Sequence, residues 1–293
     1  MIIVNLKGGL GNQMFQYACG KALLLRNRSK GLEQELKLDM SGYARIKSSD
    51  TLRTYSLGAF RIDTPLAPLE EIARIKYPFG ILSKGWRFFR AKALRRYDTG
   101  YDPRVLERRG DIYLDGYWQS EKYFTDIAGI IRNDFSLKDG FGPAAEAAAR
   151  TIAGERNPVS LHVRRGDYVS NAKTNASYGT CSPDYYRQAV TMILEKNPGA
   201  RFFVFSDDIP WAKENLGLSA ETFYVSGNGI KDCEEVILMS KCKHHIIANS
   251  SFSWWGARLD PNPDKTVVAP ERWFNRSPRS YYKDIVPDSW TRI

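Results

Sequence analysis

Short apolar runs recur along the second half of the chain, and helical periodicity fills the gaps between them. Val159–Val163, Phe202–Phe205, Thr222–Val225, His245–Ala248 and Thr266–Ala269 are β-branched or aromatic runs of strand length. The patterns over Asp184–Glu195, Pro210–Asn215, Cys233–Ser240 and Trp254–Leu259 predict helices. Strands alternating with helices predict βαβ units, hence an α/β fold with a parallel sheet covered on both faces. The first half opens the same way, with a strand over Ile2–Leu6, a glycine-rich turn over Lys7–Asn12 and a helix over Gln13–Leu25. Beyond residue 40 the pattern blurs, although Ile112–Leu114 reads as a strand and Ser120–Ile131 as a helix. Gly140–Arg150 reads as a hinge leading into a helix, which places a domain boundary within 140–157 and divides the chain into 1–145 and 146–293. Ligands of open parallel sheets bind beyond the carboxyl ends of the strands, so those ends are where chemistry is expected.

Composition narrows the function classes. At 293 residues and 43% hydrophobic, the chain can bury a core, which excludes wholesale disorder. Its net charge of +10 favours polyanionic partners without choosing among nucleic acid, nucleotide and anionic lipid. No apolar stretch approaches a membrane span and no signal-peptide pattern opens the chain, so a cytoplasmic location is expected. Cys19, Cys181, Cys233 and Cys242 form no C-x-x-C pair and read as free thiols.

Five strand ends carry candidate chemistry. In Ser160-Leu161-His162-Val163-Arg164-Arg165-Gly166-Asp167, one face of the strand turns polar as it ends. Adjacent arginines offer donor forks suited to phosphate, and Asp167 can brace one of them; an Arg–Asp surface ion pair reads the same residues equally well. Gly8-Gly9-Leu10-Gly11-Asn12-Gln13 brings backbone N–H groups to a helix start, where anions bind, or else forms a tight turn capped by Asn12. Met14 stands where a dinucleotide fingerprint has its third glycine, so that reading fails. Asn249-Ser250-Ser251-Phe252 opens a helix and serves either as cap or phosphate site. In Ser206-Asp207-Asp208 a carboxylate can accept from a guanine edge or cap a helix before Pro210. Finally, Tyr117-Trp118-Gln119-Ser120-Glu121 combines aromatic and polar groups suited to a sugar or to plain packing. The chain has no D-x-D clamp for a metal-bound nucleotide sugar, no P-loop, no G-x-S-x-G and no zinc-ligand spacing.

Taken together, Gly8-Gly9-Leu10-Gly11-Asn12-Gln13-Met14-Phe15-Gln16-Tyr17, His162-Val163-Arg164-Arg165-Gly166-Asp167, Phe205-Ser206-Asp207-Asp208 and Asn249-Ser250-Ser251-Phe252-Ser253-Trp254-Trp255 resemble the bacterial α-1,2-fucosyltransferases of glycosyltransferase family 11. The H-x-R-R-x-D element is similar to one shared with α-1,6- and protein O-fucosyltransferases.

The resemblance implies a variant GT-B architecture, two Rossmann-like α/β domains facing a donor cleft. Residues 1–145 would lie mainly on the acceptor side and 146–293 would bind GDP-fucose. It implies inverting transfer of L-fucose from GDP-β-L-fucose to the 2-hydroxyl of a terminal galactose, in O-antigen or surface-glycan synthesis, with no metal and no cofactor. Arg164, His162 and Asp167 are then the expected catalytic residues. Gly9, Gly11, Asn12, Arg165, Ser206, Asp207, Asn249, Ser250, Ser251 and Phe252 are expected on the donor, and Gln13, Trp118, Gln119 and Glu121 on the β-galactoside acceptor. Asp167 and Glu121 stand as alternative general bases.

Three other readings stay open. The protein could use another GDP-sugar, be a non-catalytic nucleotide-sugar-binding module, or be a nucleic-acid binder, although it has no nucleic-acid motif. The basic and aromatic stretch 84–96 is suited either to an anionic bilayer, giving peripheral contact with the inner membrane face, or to a solvated helix face.

Overall fold

The computed structural model of the chain describes residues 1–45, 53–77, 80, 100–227 and 229–293. The basic stretch 84–96 lies outside the described residues. The chain divides into two compact units, Met1–Ser136 with Ser280–Pro287, and Leu137–Arg279 with Asp288–Ile293. The division falls ahead of 145–146, so the helix that a cut there would split stays whole in the second unit.

In the first unit, strands β1 (Ile2–Asn5), β2 (Leu36–Asp39) and β3 (Ile112–Leu114) pair in parallel in the order β2-β1-β3. Helix α1 (Leu10–Arg28) follows β1, α2 (Leu69–Lys76) follows β2, and α3 (Ala128–Asp134) follows β3. Central β1 is fully buried at Ile2, Ile3 and Val4, as a strand covered on both faces must be. The helix lies close on this strand because a methyl group at Gly20 would overlap Val4. The Tyr17 hydroxyl of α1 donates to Asp134 of α3 at 2.6 Å, joining the two helices.

The second unit opens with α4 (Pro143–Gly154) and β4 (Pro158–Val163). Two short helices follow, α5 (Gly166–Ser170) and α6 (Ala172–Tyr178), and then α7 (Pro183–Lys196). Next come β5 (Arg201–Ser206), α8 (Ile209–Asn215), β6 (Thr222–Tyr224), α9 (Asp232–Ser240), β7 (His244–Ile246) and α10 (Ser251–Leu259). Strands β8 (Val267–Ala269) and β9 (Thr291–Arg292) complete the described elements of the sheet, which is parallel throughout with order β6-β5-β4-β7-β8-β9. Counted from β4, this is the 3-2-1-4-5-6 order of a doubly wound dinucleotide-type sheet. Alternation builds two cores. Val159, Leu161, Val163, Phe202 and Val204 pack with α7 on one face, whereas Phe203 and Phe205 pack with α4 and α9 on the other.

Several expected elements change. The first helix starts at Leu10 with Gly9 as N-cap, so Asn12 lies inside its first turn rather than capping it. The run Ser120–Ile131 is not one helix; Ser120 caps a single turn at Glu121–Tyr123, a second turn spans Thr125–Ile127, and only α3 is α-helical. Strand β2 was absent from the sequence pattern because LKLD offers only two apolar positions. Among the described residues no helix is long and apolar enough to cross a membrane.

Candidate functional site

In the second unit the order of strands reverses between β4 and β7, so the crevice at their carboxyl ends is the expected ligand position. His162 and Arg164 share a strand face with Ser160, opposite the core of Leu161 and Val163. The Arg164 guanidinium sits between two carboxylates, Asp167 one turn on and Asp207 at the end of β5, the latter at 2.7 Å. Burial opposes its charge, and Asp207 and Asp167 outweigh burial, so its pKa is raised and it stays a cation. Five N–H groups and two carboxylate partners leave donors over for a third anion. Tyr168 lies 5.5 Å beneath the guanidinium.

The turn that follows explains Gly166. Asp207 Oδ1 accepts from the Arg165 N–H at 2.8 Å, and a Cβ at Gly166 would stand 2.5 Å from Asp207 Oδ2. A side chain there would push the carboxylate off the arginine.

His162 is 4% exposed, tilted against Phe252 at 5.6 Å, and its Nδ1 has no hydrogen-bond partner. Burial, reinforced by Arg164 and only partly opposed by Asp207, holds its pKa down at about 3. It is therefore a neutral imidazole at neutral pH.

Across the crevice, Ser250 caps α10 by accepting from the Phe252 N–H at 3.3 Å. The start of this helix brings Ser251 and Phe252, with a positive dipole end, to the carboxyl end of β7. Behind it a buried chain joins the two strands: Ser160 Oγ lies 2.8 Å from His245 Nδ1, and His245 Nε2 lies 3.1 Å from Asp260. The sequence showed no partners for His245, because Asp260 reaches it from the far end of α10.

Three donor-side expectations change character. The Arg165 guanidinium is paired with Asp208 at 3.1 Å and stacked on Trp211 at 3.9 Å, so it braces the start of α8. Asn249 Nδ2 donates to the carbonyls of Tyr178, Gly179 and Trp273 and secures those loops. Ser206 accepts from the Asp208 N–H at 2.9 Å while its own N–H donates to Ser226 at 2.8 Å, so it shapes the turn after β5.

A carboxylate that the sequence did not single out stands beside this turn. Glu235, in the first turn of α9, bonds Ser226 and interacts with Asp207. Burial pushes its pKa up to about 7, with Asp232 and Asp207 adding to the rise and Ser226 opposing it. An acidic residue in a helix's first turn ordinarily signals only the helix dipole, which is why it passed unnoticed.

The first unit has its own switch point, between β1 and β3. Gly8 has φ +79 and Tyr43 donates to its carbonyl at 2.9 Å. Asn12 and Gln119 meet there, Gln119 Nε2 donating to Asn12 Oδ1 at 2.7 Å. Lys7 contacts Asp115 at 3.3 Å and lies over Tyr117 at 4.6 Å. Gly9 and Gly11 form the helix start beside them. Gln13 does not reach an open surface: fully buried, it donates to the carbonyls of Gly8 and Thr54 and accepts from the Ser56 N–H. Trp118 is buried, and Glu121 begins the next turn with its side chain partly exposed.

The structure thus brings Arg164, His162, Asp167, Asp207 and the Ser250–Phe252 helix start together in the second unit. It brings Asn12, Trp118 and Gln119 together in the first.

Comparison with known proteins follows the same lines. The family model for glycosyl transferase family 11 matches residues 1–293. An α-1,2-colitosyltransferase of Escherichia coli is 34% identical, with 100% of this chain and 99% of the relative covered. A galactoside α-(1,2)-fucosyltransferase 2 of Oryctolagus cuniculus is 25% identical over 88% of this chain and 67% of its own length. The NodZ α-1,6-fucosyltransferase co-crystallised with GDP superposes with a TM-score of 0.54 at 15% identity, covering 89% of this chain and 92% of that one. The fold is therefore the expected variant GT-B class of paired α/β units.

Proposed function

The chain belongs to glycosyl transferase family 11 and is a glycosyltransferase, and from that premise we propose that it transfers L-fucose from GDP-β-L-fucose to the 2-hydroxyl of a terminal galactose, with inversion and without a metal. The observation that carries this reading is Arg164 held between Asp167 and Asp207 at the β4–β7 switch point, with α10 opening across from it. Negative charge grows on the β-phosphate as GDP leaves. A preorganised guanidinium and a helix N-terminus are suited to stabilise that charge without reorganising, the condition under which such donors contribute most.

Roles follow from the contacts. Arg164 binds the diphosphate through its remaining N–H groups. Asp167 and Asp207 hold the guanidinium flat and charged; with Asp167 committed to Arg164, it is a positioning residue in this reading. Neutral His162 offers an unpartnered ring nitrogen to the donor. Both oxygens of Asp207 have partners, so the carboxylate that would accept from the guanine N1–H and 2-amino group is Glu235.

A second donor is favoured by one observation, the 34% identity to an α-1,2-colitosyltransferase. Colitose is the 3-deoxy counterpart of fucose, so both readings share the nucleotide site and differ only at the sugar.

The test is direct. Incubation with GDP-fucose and lactose, with and without EDTA, should release GDP and a trisaccharide in equal amounts, unaffected by chelation. Abolition by EDTA would refute metal independence. A much higher kcat/KM with GDP-colitose would move the donor to the second reading.

A further inference from the structure

The Arg164 guanidinium and the start of α10 come from distant parts of the chain, and one side chain touches both. Tyr168 stands one helical turn beyond Arg164, in α5, where the Val169 N–H donates to the Arg165 carbonyl at 2.9 Å. That turn returns its ring to Arg164, whose Cζ lies 5.5 Å from the ring centre, within cation–π range. Its hydroxyl donates at 3.3 Å to the carbonyl of Asn249, the residue immediately before Ser250, which caps α10.

Tyr168 is itself held. Its ring stacks on Tyr178 at 5.0 Å and 20°, and Tyr178 packs against Phe274 at 5.2 Å. Its carbonyl accepts from Asn175 Nδ2 at 2.7 Å. Asn249 is tied to the same stack, because its amide donates to the Tyr178 carbonyl at 3.0 Å. A helix of five residues is too short to be stable alone, so these contacts fix its position. The three partners of Arg164 also differ in kind. Carboxylates engage a guanidinium through its N–H groups, whereas an aromatic ring attracts the cation through the ring face. Asp167 and Asp207 thus direct the N–H groups, and Tyr168 restrains the guanidinium from a further side. Leucine or phenylalanine would fill the same half-buried space, but neither can donate to the Asn249 carbonyl.

We infer that Tyr168 is a positioning residue for the transfer: it ties the Arg164 guanidinium to the head of α10 and so sets the gap that a diphosphate spans. This inference rests on the proposed reading that the leaving diphosphate engages those two elements, and it adds a residue to which that reading gives no role. Tyr168 acts through its two partners and needs no contact with the donor. Its effect therefore falls on ligands that engage both elements at once, and a nucleotide with a single phosphate loses one of the two. A side chain that only stabilised α5 would weaken both kinds of ligand alike, or lower the folded fraction alone.

The test compares GDP with GMP by titration calorimetry in wild type, Tyr168→Phe, Tyr168→Leu and Arg164→Ala, with kcat and KM for GDP-fucose measured beside them. Tyr168→Phe keeps the ring and loses the bond to Asn249; it should weaken GDP about threefold and leave GMP unchanged. Tyr168→Leu loses both contacts and should weaken GDP at least about tenfold, with a comparable fall in kcat, while GMP changes little. Arg164→Ala should lower the preference for GDP over GMP as well. An unchanged preference in both Tyr168 variants, with a lowered one in Arg164→Ala, would overturn the inference and leave the diphosphate site standing. A parallel loss of GDP and GMP in the Tyr168 variants would also overturn it. An unchanged preference in Arg164→Ala would remove the diphosphate from the β4–β7 crevice, and the inference with it. If Tyr168→Leu does not fold, Tyr168→Phe decides: a preference lowered about twofold or more supports the role, and an unchanged one refutes it.

Discussion

Asp207 touches Arg164 at 2.7 Å through the same carboxylate oxygen that a Cβ at Gly166 would approach to 2.5 Å. Gly166 is therefore a spacing residue for the ion pair. Its φ lies outside the left-handed region, so Gly166→Ala carries no backbone strain. The expected result is a fall in kcat of tenfold or more with a melting temperature close to wild type. Asp207→Asn should fall by a similar factor, and full activity in both variants would dissociate the pair from turnover.

Arg164 tests the leaving-group role itself. Arg164→Ala should cost at least about a hundredfold in kcat, the scale of removing one preorganised donor. Arg164→Lys should fail nearly as badly, because an ammonium cannot span Asp167, Asp207 and a phosphate at once. Single-turnover rates at saturating donor separate this loss from weaker binding.

Glu235 yields a pH dependence whose sign is determined by burial. Its carboxyl titrates at about 7 in the folded protein and near 4.5 when unfolded. Between those values the folded state holds more protons, so stability falls as pH rises from 4.5 through 7. The penalty above pH 7 is on the order of 3 kcal/mol. Glu235→Gln should therefore be more stable than wild type at pH 8 and equal to it near pH 4, by urea unfolding. If Glu235 also accepts from the base, the same variant binds GDP more weakly. Equal stability at pH 8 would show that the carboxyl is not desolvated.

Gln13 separates a supporting role from a contact role. Its amide holds Gly8 and the 54–56 segment through three bonds in a fully buried position. Gln13→Leu should lower stability by about 1–3 kcal/mol, from the donors and acceptors it strands. Acceptor KM should change no more than the loss of folded protein explains, which activity normalised to folded protein would check.

What the chain made legible was chemistry at strand ends. His162 and Arg164 stood out because a buried strand turned polar on one face, and the structure has them at the switch point of β4 and β7. Gly166 was legible as a turn, but its reason was not, because Asp207 reaches it from the next strand. Gln13 and Asn249 make structural bonds that the sequence hid for one physical reason. A polar residue at a helix start resembles a ligand contact, whereas their partners, Thr54 and Ser56 in one case and Tyr178, Gly179 and Trp273 in the other, lie far along the chain. The φ of +51 at Trp118 left no local mark, since no composition rule places a tryptophan at positive φ.

His162 carries the opposite pH sign to Glu235. Burial holds it near 3 when folded, and it titrates near 6.5 when unfolded. Between those values the unfolded chain binds more protons, so stability falls as pH drops from 6.5 toward 3, by up to about 1.4 kcal/mol per pH unit for one such group. All three histidines of the chain are depressed by burial, His244 and His245 as well. His162→Phe should thus remove the His162 contribution to the acid slope and leave that of His244 and His245. Urea unfolding at pH 4, 5 and 7 measures it: the variant should lose less stability than wild type between pH 7 and 4. A diphosphate adds a further check. GDP bound beside Arg164 brings negative charge to the ring and favours its protonated form, so the folded-state titration of His162, followed by NMR, should move upward when GDP is added. An unchanged titration would place the phosphates away from the β4–β7 crevice.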